Sequence, residues 1–251
     1  LLQNGLTQHQ HHQNNMGAYG GPDIVTDGLI FAIDAGSTRS YPGSGTNWTD
    51  IVGNSNCALV NGSTFNSQNG GSIVLDGSDE YVLRSTTPTE LQGDPSFTIS
   101  MWVKRLSNEV TNTGIWGFGG NATNGGINSW WSNNSNEITI DTWGRATFTT
   151  GVTYPLNEWV FVTWQKTAGA MTRANCIIWK NTTSYTGTDL TVLRAENTAP
   201  NINNNGITLG KINSNYSVPV NFGYANTIIY NRVLTAAEVL QNYNAQKNRF
   251  I

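Results

Sequence analysis

The chain has 251 residues, of which 12% are charged, and its formal net charge at pH 7 is -3. Because the charges form no basic block, the electrostatic footprint of a nucleic-acid-binding protein is missing, and we expect no nucleic-acid partner. No apolar run approaches the roughly 20 residues that span a bilayer, and the N-terminus lacks the basic-then-apolar order of a signal peptide, so we expect neither a membrane anchor nor secretion. The length suits one large all-β domain, and the 27 glycines favour short strands joined by turns.

Residues 1–22 differ in composition from everything that follows. Gln, Asn and His dominate this segment, which therefore cannot build a core of its own. Its tract His9-Gln10-His11-His12 offers metal-binding side chains, but no Cys or carboxylate accompanies them. We predict a polar arm over residues 1–22, flexible or ordered by a partner, and a single domain over residues 23–251.

Strand patterns run through the first half of the domain. An apolar run at residues 29–33 predicts the first strand. Residues 71–75 and 81–83 predict two more on either side of the turn 76–80, and a hairpin is the natural interpretation. Residues 96–104 alternate, with Phe, Ile, Met and Val on one face and Thr, Ser, Trp and Lys on the other, which predicts a half-buried strand.

The second half of the domain continues the series. Shorter strands recur about every ten residues, a spacing typical of a β-sandwich. They lie near Ile115, Ile127, Ile138 and Phe148. The stretch 158–166 is apolar on both faces at its centre, so we expect a buried strand that lies beside residues 96–104. Residues 176–180 and 207–211 predict further strands.

The C-terminal unit predicts a strand, a turn and a helix. Residues 228–230 form a short strand, and Asn231-Arg232 the turn. Thr235 is placed to cap the helix, and Glu238 three residues later completes a capping box. We expect apolar side chains of the helix to face the core, namely Val239, Leu240 and Tyr243. We expect polar side chains to face water, namely Gln241, Asn242 and Gln246.

The two cysteines, Cys57 and Cys176, lie in apolar or strand-like surroundings. We predict free, buried thiols at both positions. A disulfide between them stays open as the alternative, because the sequence does not show whether their Cα atoms come within bridging distance.

Several segments in combination resemble the laminin-G-like, concanavalin A-like jelly roll, over about residues 28–247. They read GLIFAIDAG (28–36), SIVLDG (72–77), SFTISMWV (96–103), EWVFVTW (158–164) and IYNRVLTAAEV (229–239). The resemblance implies an all-β fold, an antiparallel two-sheet jelly-roll sandwich with one short C-terminal helix. It also implies a role in binding glycans or protein partners.

Two further segments, SYPGSG (40–45) and LQNYNA (240–245), resemble lectin-like structural proteins of marine tailed phages. This resemblance implies a non-enzymatic virion component, such as a head decoration or a tail fibre, assembled in the cytoplasm of a bacterial host. It implies attachment to other virion proteins through the N-terminal arm, contact with environmental or cell-surface glycans, and a homo-oligomer. The alternatives are a free-standing carbohydrate-binding lectin and a relative of the glycoside hydrolases or polysaccharide lyases.

The strand from Glu137 to Asp141 is the nearest approach to a catalytic arrangement. A retaining glycoside hydrolase needs two carboxylates about 5 Å apart, which a Glu-x-Asp-x-Glu strand supplies on one face. Here Glu137 and Asp141 share a face, but the middle position is Thr139, and the two acids stand about 13 Å apart by strand rise. The histidines are confined to the N-terminal arm, so the domain has none for a Ser-His-Asp or Cys-His set. We therefore predict no catalytic residue.

Aromatic and amide side chains offer a ligand-binding site instead. Trp130 and Trp131 lie between Asn- and Ser-rich stretches, where a ring can pack on the apolar face of a sugar while amides meet its hydroxyls. The predicted ligand-binding residues are Trp130, Trp131, Asn128, Asn133 and Trp143. The alternative is that these rings fill the sandwich core, because the 9 tryptophans cannot all be exposed.

Calcium is the cofactor that the family resemblance implies, because some members hold it with loop carboxylates and carbonyls. Asp76, Asp79 and Glu80 cluster in one turn and are the candidate ligands. The alternative is a solvated turn in which Asp76 caps its own backbone.

Overall fold

A computed structural model describes residues 22–53, 55–108, 113–131, 136–143, 145–194, 198–213 and 220–251. The strands are β1 Leu29–Asp34, β2 Asn47–Thr49, β3 Asn56–Val60, β4 Thr64–Asn66, β5 Ser72–Asp76, β6 Tyr81–Arg84, β7 Phe97–Arg105, β8 Thr113–Gly119, β9 Gly126–Trp131, β10 Glu137–Thr142, β11 Ala146–Thr153, β12 Trp159–Lys166, β13 Cys176–Lys180, β14 Thr183–Thr186, β15 Thr191–Arg194, β16 Ile207–Leu209 and β17 Asn221–Tyr230. The α-helix is α1 Ala236–Gln246, and short 3₁₀ helices lie at Gln68–Gly70, Thr89–Leu91, Arg173–Asn175, Gly187–Asp189 and Lys247–Arg249. Of the helices that the structure describes, none has the length and apolar character of a membrane-spanning segment.

The described strands form two antiparallel sheets that pack face to face. Sheet 1 has the order β14-β13-β12-β7-β17-β5-β4, and β1 pairs with the second half of β17. Sheet 2 has the order β15-β11-β10-β9-β8-β16-β6-β3-β2. This arrangement confirms the predicted all-β, two-sheet sandwich with one short C-terminal helix.

Aromatic side chains join the two sheets across the core. Phe97 of β7 packs edge-on against Trp116 and Phe118 of β8, with ring centroids 6.3 Å and 5.1 Å apart. Trp164 of β12 meets Trp116 with the centroids 5.4 Å apart, and all four side chains are fully buried. Each such pair contributes roughly 0.5–1.5 kcal/mol beyond the area that it buries, so this cluster helps to hold sheet 1 against sheet 2.

The strand predicted at residues 96–104 is β7, and β12 pairs with it, as predicted. The expectation that β7 is half-buried was wrong, because Thr98, Ser100 and Trp102 on its outer face are also fully buried. A second apolar cluster, which includes side chains of α1, covers that face, and Trp102 stacks on Phe250 with ring centroids 4.4 Å apart. The alternation within one strand does not show that a helix lies over its outer face.

The two strands that flank the acidic turn do not form the predicted hairpin. β5 pairs with β17 and β4 in sheet 1, whereas β6 pairs with β3 and β16 in sheet 2. The strands were predicted correctly, but their pairing was wrong, because the connection from Gly77 to Glu80 crosses between the sheets. Leu75 and Val82 enter the same core from opposite sheets. A connection of this length looks the same in sequence whether it joins paired strands or crosses the core.

The C-terminal unit has the predicted capping box. The Glu238 amide donates to the Thr235 hydroxyl, and the Glu238 carboxylate accepts a hydrogen bond from the Thr235 amide at 2.8 Å. The strand before it, β17, is longer than predicted. It pairs with β7 on one side and with both β5 and β1 on the other, which makes it a central strand of sheet 1.

Two helix side chains that were predicted to face water are buried instead. Asn242 accepts a hydrogen bond from the Val25 amide at 2.9 Å and donates one to the Tyr230 hydroxyl at 3.0 Å. Gln246 accepts one from the side-chain amide of Asn226 at 2.6 Å. The prediction was wrong because these side chains satisfy polar groups of distant segments, which the periodicity of the helix does not reveal.

Residues 23–25 lie against α1 on the outer face of sheet 1. Val25 is buried, and its carbonyl accepts a hydrogen bond from the Tyr230 hydroxyl at 2.8 Å. Gln241 of α1 donates to the Asp23 carbonyl, also at 2.8 Å. The chain therefore enters the domain on the helix-covered side. Apart from Pro22, the predicted arm lies outside the described residues.

Both cysteines are free and buried, as predicted. Burial raises the pKa of the Cys57 thiol to about 12, with a smaller contribution in the same direction from the charge of Asp50. The thiol is therefore protonated at neutral pH and is a packing group of the core rather than a nucleophile.

Candidate functional site

A row of directly opposed residues crosses sheet 2 on the face that points away from the core. Its members follow from the pairing of each strand with the next, and they are Leu83, Thr208, Gly117, Asn128, Asp141, Thr147 and Arg194. The strand neighbours of this row, such as Ile127, Ile140 and Phe148, belong to the core. Because side chains alternate along a strand, the row itself lies on the outer face. We name its last four members, Asn128, Asp141, Thr147 and Arg194, the polar row.

Asp141 lies at the centre of the polar row and is only 2% exposed. One carboxylate oxygen accepts a hydrogen bond from the Thr147 hydroxyl, and the other accepts one from the side-chain amide of Asn128 at 3.3 Å. Burial raises the pKa of Asp141, while its hydrogen bonds with Thr147, Trp130 and Asn128 and the charge of Arg194 lower the pKa and so oppose the effect of burial. A buried carboxyl group with this many donors around it organises its neighbours.

Trp130 lies two residues beyond Asn128 on β9 and therefore on the same outer face. Its ring is half-buried, and the Arg194 guanidinium lies over it with the central carbon 5.7 Å from the ring centroid. The backbone of Trp130 is held by Thr139, whose hydroxyl accepts from the Trp130 amide at 3.1 Å and donates to the Trp130 carbonyl. The backbone of Trp130 is thus held by hydrogen bonds, and a cation lies next to its ring.

Trp143 lies on the other side of the polar row. Its amide donates to the Gly126 carbonyl at 3.1 Å, which continues the pairing of β10 with β9 beyond the end of the strand. Trp143 lies two residues after Asp141, so its side chain is on the same outer face. It is half-buried, like Trp130. Trp143 lies opposite Gly126, four residues from Trp130 along the strand direction, which corresponds to about 13 Å at roughly 3.3 Å per residue.

The segment after β16 forms the wall of the site on the side of β8. The Ile212 carbonyl oxygen would lie 1.6 Å from a Cβ atom at Gly117, so only glycine lets this segment pack on the sheet. Gly117 directly opposes Asn128 in the sheet. The polar row is therefore bounded by Ile212 on one side and by β15 with Arg194 on the other.

Asn128 brings an unused hydrogen-bond acceptor to the site. Its side-chain nitrogen is directed at Asp141, so its oxygen is directed elsewhere. Asn128 is 1% exposed, and its side-chain oxygen has no hydrogen-bond partner. Buried polar atoms in proteins are nearly always paired, so this oxygen is a place for a donor from a bound water or a ligand hydroxyl.

The structure brings three of the predicted ligand-binding residues together. Asn128, Trp130 and Trp143 share one face and surround Asp141. Trp131 lies in β9, but its side chain is not described, and Asn133 lies outside the described residues. The alternative prediction of core packing holds for other tryptophans, including Trp48, Trp102, Trp116 and Trp164. Whether any of these residues contacts a ligand stays a prediction.

Sequence reasoning missed the residues that complete the site. Thr147 and Arg194 lie on β11 and β15, and they reach Asp141 only through the pairing of three strands, two of which contain register shifts. A one-residue slip in register would turn each of them to the other face. The alternation within β11 was the one local signal. It turns Thr147 to the outer face, because its neighbours Ala146 and Phe148 point into the core.

Glu137 and Asp141 share the outer face, as predicted. Glu137 accepts a hydrogen bond from the Thr149 hydroxyl, and Asp141 from the Thr147 hydroxyl, so the two acids have separate partners on β11. Four residues along one strand correspond to about 13 Å. Retaining glycosidases use a carboxyl separation of about 5–5.5 Å and inverting ones about 6.5–9.5 Å, so this pair matches neither geometry.

The acidic turn does not provide the donors that calcium requires. Asp76 accepts a hydrogen bond from the Ser78 amide at 2.8 Å, which is the self-capping role of the alternative prediction. Asp76 and Asp79 are exposed, whereas Glu80 is mostly buried, and burial and a hydrogen bond with Asp76 raise the pKa of Glu80. Within the described ranges, no group of three or more Asp, Glu, His or Cys side chains is arranged to hold a metal ion. Calcium binds six to eight oxygens, more than these three side chains supply by themselves, and calcium binding by this chain stays a prediction.

Comparison with known proteins agrees with this architecture. The family model described as the concanavalin A-like lectin/glucanases superfamily matches residues 76–240. Comparison with curated protein sequences gave no match.

Among solved structures, the chain is similar to the Trypanosoma rangeli sialidase in complex with sialic acid, at 13% identity and a TM-score of 0.64, over 94% of this chain and 37% of the sialidase. It is similar to domain 4 of AbnA, a GH43 extracellular arabinanase from Geobacillus stearothermophilus, in complex with arabinotriose, at 16% identity and a TM-score of 0.60, over 86% of this chain and 98% of that domain. It is also similar to the binding domain of Paraclostridial Mosquitocidal Protein 1, at 17% identity and a TM-score of 0.60, over 87% of this chain and 52% of that one. At these identities the likeness shows the fold, and the chain spans little more than a third of the sialidase.

Proposed function

We propose that this chain, which belongs to the concanavalin A-like lectin/glucanases superfamily, is a non-enzymatic carbohydrate-binding protein that holds a short oligosaccharide on the outer face of sheet 2. The observation that carries this proposal is the placement of two half-buried tryptophans on either side of the polar row. Trp130 and Trp143 are half-buried on this face, Arg194 places an exposed guanidinium beside Trp130, and the buried amide of Asn128 lies between the two tryptophans. Sugars present apolar ring faces and hydroxyls in the same alternation.

The buried carboxyl of Asp141 supports binding rather than cleavage. Its oxygens accept hydrogen bonds from Thr147 and Asn128, so the group is committed to positioning the site. Its strand neighbour in the catalytic hypothesis, Glu137, stands too far away for either glycosidase mechanism. The chain is similar to 98% of the arabinanase domain that was solved in complex with arabinotriose. This similarity supports a sugar as the ligand class.

A glycan array followed by titration calorimetry tests the proposal. We expect binding of at least one oligosaccharide by the wild-type protein and a loss of at least tenfold in affinity, or about 1.4 kcal/mol, in Trp130→Ala. Trp179→Ala is the matched control, because Trp179 is also a half-buried tryptophan but lies on β13 of sheet 1. Absence of binding to every glycan, or equal losses in the two variants of unchanged fold, would contradict the proposal.

We propose a virion as the setting of this function, with the chain as a head decoration or tail fibre component that assembles as a homo-oligomer in a bacterial cytoplasm. The resemblance of residues 40–45 and 240–245 to phage structural proteins supports this setting. The attachment of residues 23–25 to α1 supports contact with other virion proteins through the N-terminal arm, because it places the start of the domain on the outer surface of sheet 1, away from the polar row on sheet 2. Mass spectrometry of purified particles tests the setting, and absence of the chain from particles that carry their other structural proteins would contradict it.

A further inference from the structure

Building on the proposed function, we propose that the ligand is an acidic glycan whose anionic group, a uronate carboxylate or a sulfate, is bound by Arg194. The proposal concerns the same face of sheet 2 and assigns Arg194 as the residue that determines specificity. It rests on the position of this cation, on the burial of the acid nearest to it, and on the polarity of the strand face beside it.

Arg194 is an exposed cation beside Trp130. It ends β15, the edge strand of sheet 2, and its side chain is exposed although its guanidinium lies 5.7 Å from the centre of the Trp130 ring. No carboxylate among the described residues lies within ion-pair distance of it. A planar guanidinium has donors in a fixed fork, so Arg194 can receive a carboxylate or sulfate through two parallel hydrogen bonds.

Asp141 forms no ion pair with Arg194, although the charge of Arg194 lowers the pKa of Asp141. It is buried, and its two oxygens already accept hydrogen bonds from the neutral donors Thr147 and Asn128. A ligand that packs on the Trp130 ring therefore meets the positive guanidinium, while the negative charge lies beneath it. With a neutral sugar, the paired N–H donors of the Arg194 guanidinium would bind water, whereas the anionic group of an acidic sugar would accept hydrogen bonds from them.

Glu137 makes one end of the outer face of sheet 2 negatively charged. It lies on the outer face of β10, four residues or about 13 Å along the strand from Asp141. The Arg194 guanidinium lies over Trp130, which is beside Thr139 and therefore between Asp141 and Glu137 along the sheet. An anionic group near Glu137 would meet a like charge, and one near Arg194 an opposite charge. The acidic sugar unit is therefore expected beside Arg194, with the rest of the oligosaccharide extending away from Glu137 and towards Trp143.

Titration calorimetry with matched ligand pairs tests this inference. One pair is an oligogalacturonide and its methyl ester, and the other is a sulfated galactan oligosaccharide and its desulfated form. We expect at least one acid to bind about tenfold more tightly than its neutral partner at low salt, with a preference that falls as salt rises. A preference for the carboxylated pair alone identifies a carboxylate as the ligand group, and a preference for the sulfated pair alone identifies a sulfate.

Substitutions test whether Arg194 causes the preference for the acidic ligand. Arg194→Gln should lose the preference for the acid while it keeps the affinity for the neutral partner. Arg39→Gln is the control, because Arg39 is an exposed arginine that precedes Ser40, whose carbonyl pairs with β2 at the opposite edge of sheet 2. Equal affinity for acid and neutral partner, or an unchanged preference in Arg194→Gln, would overturn this inference and leave the proposed function standing. Failure of every glycan to bind would overturn both.

Discussion

Asn128 donates a hydrogen bond to Asp141 across β9 and β10, and this contact fixes the amide of Asn128 with its oxygen turned away from the carboxylate. The contact thereby fixes the position of the Asn128 amide between β9 and β10. Asp141 acts here as a positioning residue, because its own oxygens are occupied by Thr147 and Asn128.

Removing this acid should loosen the site and the sheet. We expect Asp141→Ala to lower the free energy of unfolding by about 2–3 kcal/mol, because the buried donors of Thr147 and Asn128 lose a charged acceptor. Urea denaturation at pH 7 measures the change. Asp79→Ala, which removes an exposed acid, should change the stability by no more than about 0.5 kcal/mol. Equal stability of the two variants would contradict the role of Asp141.

The spacing of the two tryptophans predicts a dependence on ligand length. A monosaccharide can pack on only one ring, whereas an oligosaccharide that spans about 13 Å reaches both Trp130 and Trp143. We expect affinity to rise with each added sugar unit up to this span and then to level off. In Trp143→Ala the rise should stop one or two units earlier, while the affinity for the shortest ligand is retained. Calorimetry with an oligosaccharide series measures this, and identical length profiles in the variant and the wild type would rule out a contact with Trp143.

Asn242 should account for much of the attachment of the N-terminal segment. In Asn242→Ala the amide of Val25 loses its acceptor inside the protein, which we expect to cost about 2 kcal/mol in the free energy of unfolding. Proteolysis should also cut residues 23–25 faster in this variant. Gln241→Ala removes an exposed neighbour that contacts the same segment, and its effect should stay within about 0.5 kcal/mol. Unchanged proteolysis in Asn242→Ala would contradict this assignment.

The helix cap predicts a dependence of stability on pH. The hydrogen bonds that Glu238 accepts from Arg232 and Thr235 lower its pKa from 4.5 to about 2. Because the folded state binds this proton less tightly than the unfolded state, the contribution of Glu238 is fully present above pH 4.5 and is lost as the pH falls towards 2. Denaturation at several pH values should show that the stability difference between the wild type and Glu238→Gln shrinks across this window. A constant difference would show that the ionised carboxylate is not the source of the stabilisation.

The elements that sequence predicted best are those that depend on neighbours in the chain. The capping box at Thr235 and Glu238 and the existence of strand β7 follow from spacing within one segment, and both are present. The pairing of β12 with β7 was also predicted, since a strand that is apolar on both faces must lie inside a sheet.

The features that sequence did not predict depend on segments far apart in the chain. The crossing between β5 and β6 and the burial of Asn242 both depend on which distant group lies opposite. The site shows the same limit. Asn128 and Trp130 share a face through simple alternation, but Arg194 joins them through bulged strand pairs whose register no local pattern specifies.

The attachment of residues 23–25 to α1 also determines which face of the sandwich lies next to the N-terminal segment. These residues lie on the outer surface of sheet 1, whereas the polar row lies on the outer surface of sheet 2, with two sheets packed about 10 Å apart between them. An anchor that holds the chain by the segment before Asp23 therefore displays the tryptophans to the surroundings and keeps the helix towards the support. Many copies held on one surface would face outward together, and weak contacts of single sites with a polysaccharide would add up to firm adhesion.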